Sequence, residues 1–68
     1  MEYYKEMHTH GESVMCVSKV FESGECIVVY PNHSIHHYSN NHITNTQAKC
    51  TAQEFEIIRL QTIEFLKQ

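Results

Sequence analysis

A chain of 68 residues holds one domain at most, and a core of that size supplies only about 3–5 kcal/mol unaided, so domains this small commonly add a disulfide, a metal or a second subunit. Eight glutamates, no aspartate and five basic residues give a net charge of −3, which argues against the basic face that a phosphate backbone requires. Two glycines cannot build a phosphate-cradling loop, and the glutamates form no pair of the glycosidase or two-metal kind.

In chain order, residues 1–12 carry Tyr3, Tyr4 and Met7, a set that fits either a strand or a helical turn, and Gly11 closes the segment. Ser13 to Phe21 alternates and is rich in β-branched residues, the pattern of a strand. Glu22-Ser23-Gly24-Glu25 reads as a turn, with Gly24 free to take a positive φ. Cys26 to Tyr30 is the return strand; Pro31-Asn32-His33 breaks it, because proline donates nothing to a strand ladder. Ser34 to Ser39 predicts a third strand, Asn40-Asn41 a second turn, and His42 to Thr46 a fourth strand. Thr51-Ala52-Gln53-Glu54 has the form of a capping box, and nothing between Ala52 and Lys67 interrupts a helix. The expectation is an α+β fold over 1–68: an antiparallel meander of three to four strands, then one amphipathic C-terminal helix packed on the sheet.

Both layers carry more apolar surface than one such packing covers. A two-residue Ser23-Gly24 turn would pair Val20 with Ile27 and Phe21 with Cys26. One face would then hold Val14, Cys16, Ser18, Val20, Ile27 and Val29, and the other Met15, Val17, Lys19, Phe21, Cys26, Val28 and Tyr30. A sheet with one wet face alternates more cleanly than this. In the helix, Phe55, Ile58, Thr62, Phe65 and Leu66 form a stripe, while Ile57, Leu60 and Ile63 widen it. Either residues 1–12 fold back as a cover, the sheet curls around the helix, or a second copy or a partner covers the surplus.

Six histidines and three cysteines are the other notable feature. His8-Thr9-His10 is an H-x-H pair. His33, His36, His37 and His42 form a second group, in which an Asn40-Asn41 hairpin would set His37 and His42 diagonally on one face, with His36 on the other. Cys16, Cys26 and Cys50 lie too far apart for paired zinc-ligand spacing, so a zinc or other transition-metal site would have to combine Cys50 with His37 and His42. In the register above, Cys16 and Cys26 point to opposite faces. Cys50 precedes the helix, where the dipole lowers a thiol pKa, yet no base is placed for a nucleophile. No apolar run long enough for a secretory leader or a membrane span follows Met1, and the odd cysteine count fits reduced thiols in the cytoplasm.

With catalytic motifs missing, the expected function is non-enzymatic binding of another protein. The expected form is a homodimer that regulates or inhibits its partner, with Phe21, Tyr30, Ile57, Leu60 and Ile63 as contacts. Phage and mobile-element inhibitors of this size and acidity are an analogy of composition alone. The alternative is a histidine-cluster metal binder or sensor. The five cations are scattered along the chain, so neither nucleic acid nor membrane is expected as a partner.

Overall fold

The computed structural model describes residues 1–9, 11–41 and 43–68. Its elements are β1 (Glu2–Met7), β2 (Val14–Val20), β3 (Cys26–Tyr30), β4 (Ser34–Tyr38), β5 (Ala48–Lys49) and α1 (Ala52–Leu66). The five strands form one antiparallel sheet in the order β4-β3-β2-β1-β5, so the expected α+β meander with a terminal helix is the observed fold. Residues 1–12 supply a strand rather than a cover: β1 pairs with β2 from Glu2↔Val20 to Met7↔Val14. Nothing in Glu-Tyr-Tyr-Lys-Glu-Met demands that strand; the open edge of β2 does. His42, placed in a fourth predicted strand, lies outside the described residues. Ile43 to Gln47 contains a turn and no strand, and the last strand is the two-residue β5 beyond it.

The register of the β2–β3 hairpin corrects the two-residue turn. Phe21 N–H donates to the Glu25 carbonyl at 2.9 Å and Gly24 N–H to the Phe21 carbonyl at 3.0 Å, with Gly24 at φ 94°. That is a three-residue loop, Glu22-Ser23-Gly24, in which glycine takes the left-handed position that the bulge requires. Val20 therefore pairs with Cys26, and Val17 with Val29. A slip of one residue moves a whole strand's side chains to the other face. Cys16 and Cys26 consequently share a face, contrary to the expectation. They stand four positions apart along paired strands, about 13 Å at the strand rise, and both are free thiols. A bulge where Glu6 pairs with Cys16 but Met7 with Val14 leaves Met15 as the extra residue. Val14 thus packs on the helix side, and Met15 joins Cys16 on the other.

The helix begins as its sequence predicts. Thr51 Oγ1 accepts from Glu54 N–H at 3.1 Å, the first half of the capping box. The Glu54 carboxylate does not complete it, because it pairs with Lys5 Nζ at 3.3 Å on β1. Phe55 is 1% exposed and packs with Val17 and Val29; Tyr3, Val14, Ile27 and Ile58 surround them. Burying a side chain of that size stabilises by about 1.5–3 kcal/mol. Further along, Thr62 Oγ1 accepts from Asn32 N–H at 3.0 Å and donates to the Ile58 carbonyl at 2.8 Å, which ties the helix to the β3–β4 turn. That turn puts Pro31 second and Asn32 third, with Asn32 at φ 55°, the pattern of a type II turn.

The second face of the sheet is also covered, by an element that the sequence does not announce. β4 and β5 lie at opposite edges, and residues 39–41 and 43–47 lie between them in the chain. They cross on the face away from the helix. Ile43 packs against Cys16, Val20, Cys26 and Val28, the Cys26 thiol donates to the Asn40 carbonyl at 3.6 Å, and Gln47 Nε2 donates to Glu6 Oε1 at 3.1 Å. The chain is therefore three layers deep, and most of the sheet's apolar surplus is covered within one protomer.

Candidate functional site

The residues expected to touch a partner separate onto different surfaces. Ile57 is 48% exposed and Leu60 56%, both on the outer side of α1. Ile63 is half-buried on the helix flank. Phe21 is half-buried at the end of β2, with the Lys19 ammonium 5.1 Å from its ring centroid. Tyr30 is not part of that surface. It faces the crossing segment with Cys16, Val28 and Tyr38.

Two further exposed apolar residues belong to the buried stripe by spacing. Phe65 and Leu66 lie three and four positions beyond Thr62, hence on its side of the helix. Thr62 is 0% exposed, whereas Phe65 is 48% and Leu66 51% exposed. The path of the helix explains the difference. The helix starts over β1, where Tyr3 meets Phe55 at a centroid distance of 5.6 Å, and reaches the β3–β4 turn by Thr62. Its last turn has run out of sheet. β4 is the strand at that edge, and its Ile35 is 37% exposed. Because Phe21 and Glu25 are a hydrogen-bonded pair, alternation across the ladders leaves the N–H groups of Ile35 and His37 directed away from β3.

Two of the three expected metal ligands, His37 and Cys50, lie at opposite edges of the sheet. His37 is on β4 at one edge, with Nε2 3.8 Å from Glu25 Oε1. Cys50 follows β5 at the other edge, its N–H donating to the Tyr3 carbonyl at 2.9 Å. A sheet's width of about 19 Å separates them, so they cannot hold one ion within a protomer. His10 and His42 lie outside the described residues; among those described, no group of three or more His, Cys, Asp or Glu is placed to hold a metal. His36 points away from His37, as expected; its ring meets Tyr30 edge-on at 5.6 Å and stacks on Tyr38 at 6.1 Å. Its Nε2 lies 2.9 Å from Ser34 Oγ, which is also 2.8 Å from His33 Nδ1.

The thiols are less acidic than their position suggests. Burial pushes the Cys50 thiol up, the Glu54 carboxylate adds to this, and Lys5 offsets only part. The helix N-terminus does not prevail there. Burial likewise raises Cys16, with Glu6 contributing.

Among the described residues, no helix is long and apolar enough to cross a membrane. No family model matches the chain, and neither characterised proteins nor solved structures yield a match.

Proposed function

We propose that this chain is a non-enzymatic protein-binding module that acts as a homodimer in the cytoplasm and regulates or inhibits a partner protein. Two observations carry the reading: the helix end leaves Phe65 and Leu66 half exposed, and β4 is an edge strand with outward N–H groups. A second copy supplies what is missing there. Two β4 strands pairing antiparallel across a two-fold axis continue the sheet, satisfy the edge amides and place a floor under Phe65 and Leu66. The other edge offers no such seam, since β5 has two residues and leads at once into the helix.

Ile57 and Leu60 stay uncovered in that dimer and form the surface left for the partner. Their neighbours at helical spacing include Gln53, Glu56, Gln61 and Glu64. A partner with an apolar anchor and basic surroundings complements such a rim. Three free cysteines fit a reducing compartment.

Sedimentation velocity over a range of concentrations tests the dimer. The unaltered chain should sediment as a dimer, and a variant carrying Phe65→Glu and Leu66→Glu as a folded monomer. Leu60→Glu should leave the dimer intact. A monomer at every concentration, or a dimer broken by Leu60→Glu alone, defeats the proposed seam.

A further inference from the structure

Between the sheet and the crossing segment lies a half-open cavity of about 210 Å³. It is on the face opposite the helix, away from Phe65 and Leu66. Its walls include Met15, Tyr30, Tyr38 and Ile43, and its polar groups come from Glu6, Ser18 and Gln47. Two of those groups are buried without a partner among the described residues: Ser18 Oγ, on a residue 1% exposed, and Gln47 Oε1. A buried polar atom left unpaired costs about 1–3 kcal/mol, so such atoms normally mark a ligand or an ordered water.

The chemistry of a fitting ligand is set by which atoms are left over. A carboxylate only accepts hydrogen bonds, so the Gln47 amide must turn its nitrogen toward Glu6, where Nε2 sits 3.1 Å from Oε1. That leaves Gln47 Oε1 as a free acceptor on a residue that lines the cavity. Ser18 Oγ accepts as well as donates. Among the described residues no ion pair to Glu6 is seen; Lys5, Lys49 and Arg59 pair instead with Glu54, Glu2 and Glu56. Its field reaches into the cavity. Burial is the main cause that raises the Cys16 and Tyr30 groups there, and Glu6 adds to both. The cavity thus offers acceptors, one negative charge and two phenol rings. An anion is repelled, and a metal ion would find too few oxygens among walls of Met15 and Ile43. A group with several N–H donors and one positive charge meets every feature, and aromatic faces favour it further. Roughly seven water volumes, at about 30 Å³ each, leave room for a short alkyl chain behind that group.

We propose that this cavity binds a primary alkylammonium group, with Glu6 as its counter-ion and Ser18 and Gln47 as its acceptors. Such a group arrives either on a free short-chain amine or on the lysine side chain of another protein.

The test is NMR titration of the ¹⁵N-labelled chain at constant ionic strength with n-butylammonium, n-butanol, butyrate and Nα-acetyl-lysine methylamide. Butylammonium should cause saturable shifts in the amides of Cys16, Ser18, Val28, Tyr30 and Gln47. Butanol and butyrate should not saturate. Glu6→Gln should weaken butylammonium binding about tenfold or more, since a charge-assisted hydrogen bond is removed. If the lysine amide binds as tightly as butylammonium, the group comes from a protein; if butylammonium alone binds, it comes from a free amine. The proposal is overturned if butylammonium causes no saturable shift, if butanol binds equally well, or if a folded Glu6→Gln variant keeps full affinity. Should Glu6→Gln not give a native spectrum, the contrast of butylammonium with butanol and butyrate on the unaltered chain decides.

Discussion

Thr62 does more than its place in an apolar stripe suggests. As a sequence position it is a small residue among Phe55, Ile58 and Phe65. In the fold its hydroxyl is fully buried and is the acceptor for Asn32 N–H, in a turn whose Asn32 holds a positive φ. Thr62→Val preserves shape and strands that N–H, so it should lower the unfolding free energy by about 1–3 kcal/mol in urea. Thr62→Ser, which keeps the oxygen, should lose less. Cys50 gives a second residue-scale lesson. Its place before a helix N-cap points to a reactive thiol, but burial and Glu54 act against ionisation. Native alkylation with iodoacetamide at neutral pH should modify Cys50 before the buried Cys16 and Cys26, yet more slowly than it modifies the unfolded chain. Mass spectrometry of the partly reacted protein reads the order.

At the scale of elements, what was legible depended on whether local chemistry decided the structure. The helix start was legible because Thr51 and Glu54 act over one turn. The β3 strand was legible because Pro31 ends it. The hairpin register was not. Ser23-Gly24 suits a two-residue turn, and only the wider pairing selects the three-residue loop with Gly24 in its left-handed position. That single slip exchanged the neighbours of Cys26 and Val28. It also returned Tyr30 to a face that Phe21 does not share.

The helix itself carries a pH-dependent contact. Arg59 donates to Glu56 at 2.9 Å and holds its carboxyl below the ordinary value of 4.5, mainly through that hydrogen bond. A depressed folded-state pKa stabilises above the ordinary value, and the gain is lost as pH falls through the folded-state value. Glu56→Gln should therefore be slightly less stable than the unaltered chain at neutral pH. The two should match in acid well below the carboxylate range, where Glu56 is itself uncharged. Urea unfolding at the two pH values checks the sign; the exposure of the pair keeps the difference small.

At the scale of the whole molecule, topology set what sequence patterning could not. Two apolar sheet faces point to a cover from residues 1–12, a curled sheet, a second copy or a partner, and none of these is what lies on the second face. That cover is the segment between β4 and β5, through Asn40 and Ile43, whose Asn, Thr and Ser content disguises it as an ordinary loop. The residues expected to contact a partner separate for the same reason. The exposure of Ile57 and Leu60 follows from helical spacing, whereas that of Phe65 and Leu66 depends on where the sheet ends. The cavity was invisible in the sequence, since Glu6, Ser18 and Gln47 meet only across three separate segments.

In the proposed dimer β4 is a seam between two copies. Amide hydrogen exchange resolved to single residues tests it most directly, in dilute and in concentrated protein. In the concentrated sample the N–H groups of Ile35 and His37 should exchange slowly, and dilution below the dimer's dissociation constant should release them while β2 and β3 stay protected. Fast exchange of Ile35 and His37 at every concentration would mean that β4 is a free edge, and the dimer would have to be abandoned.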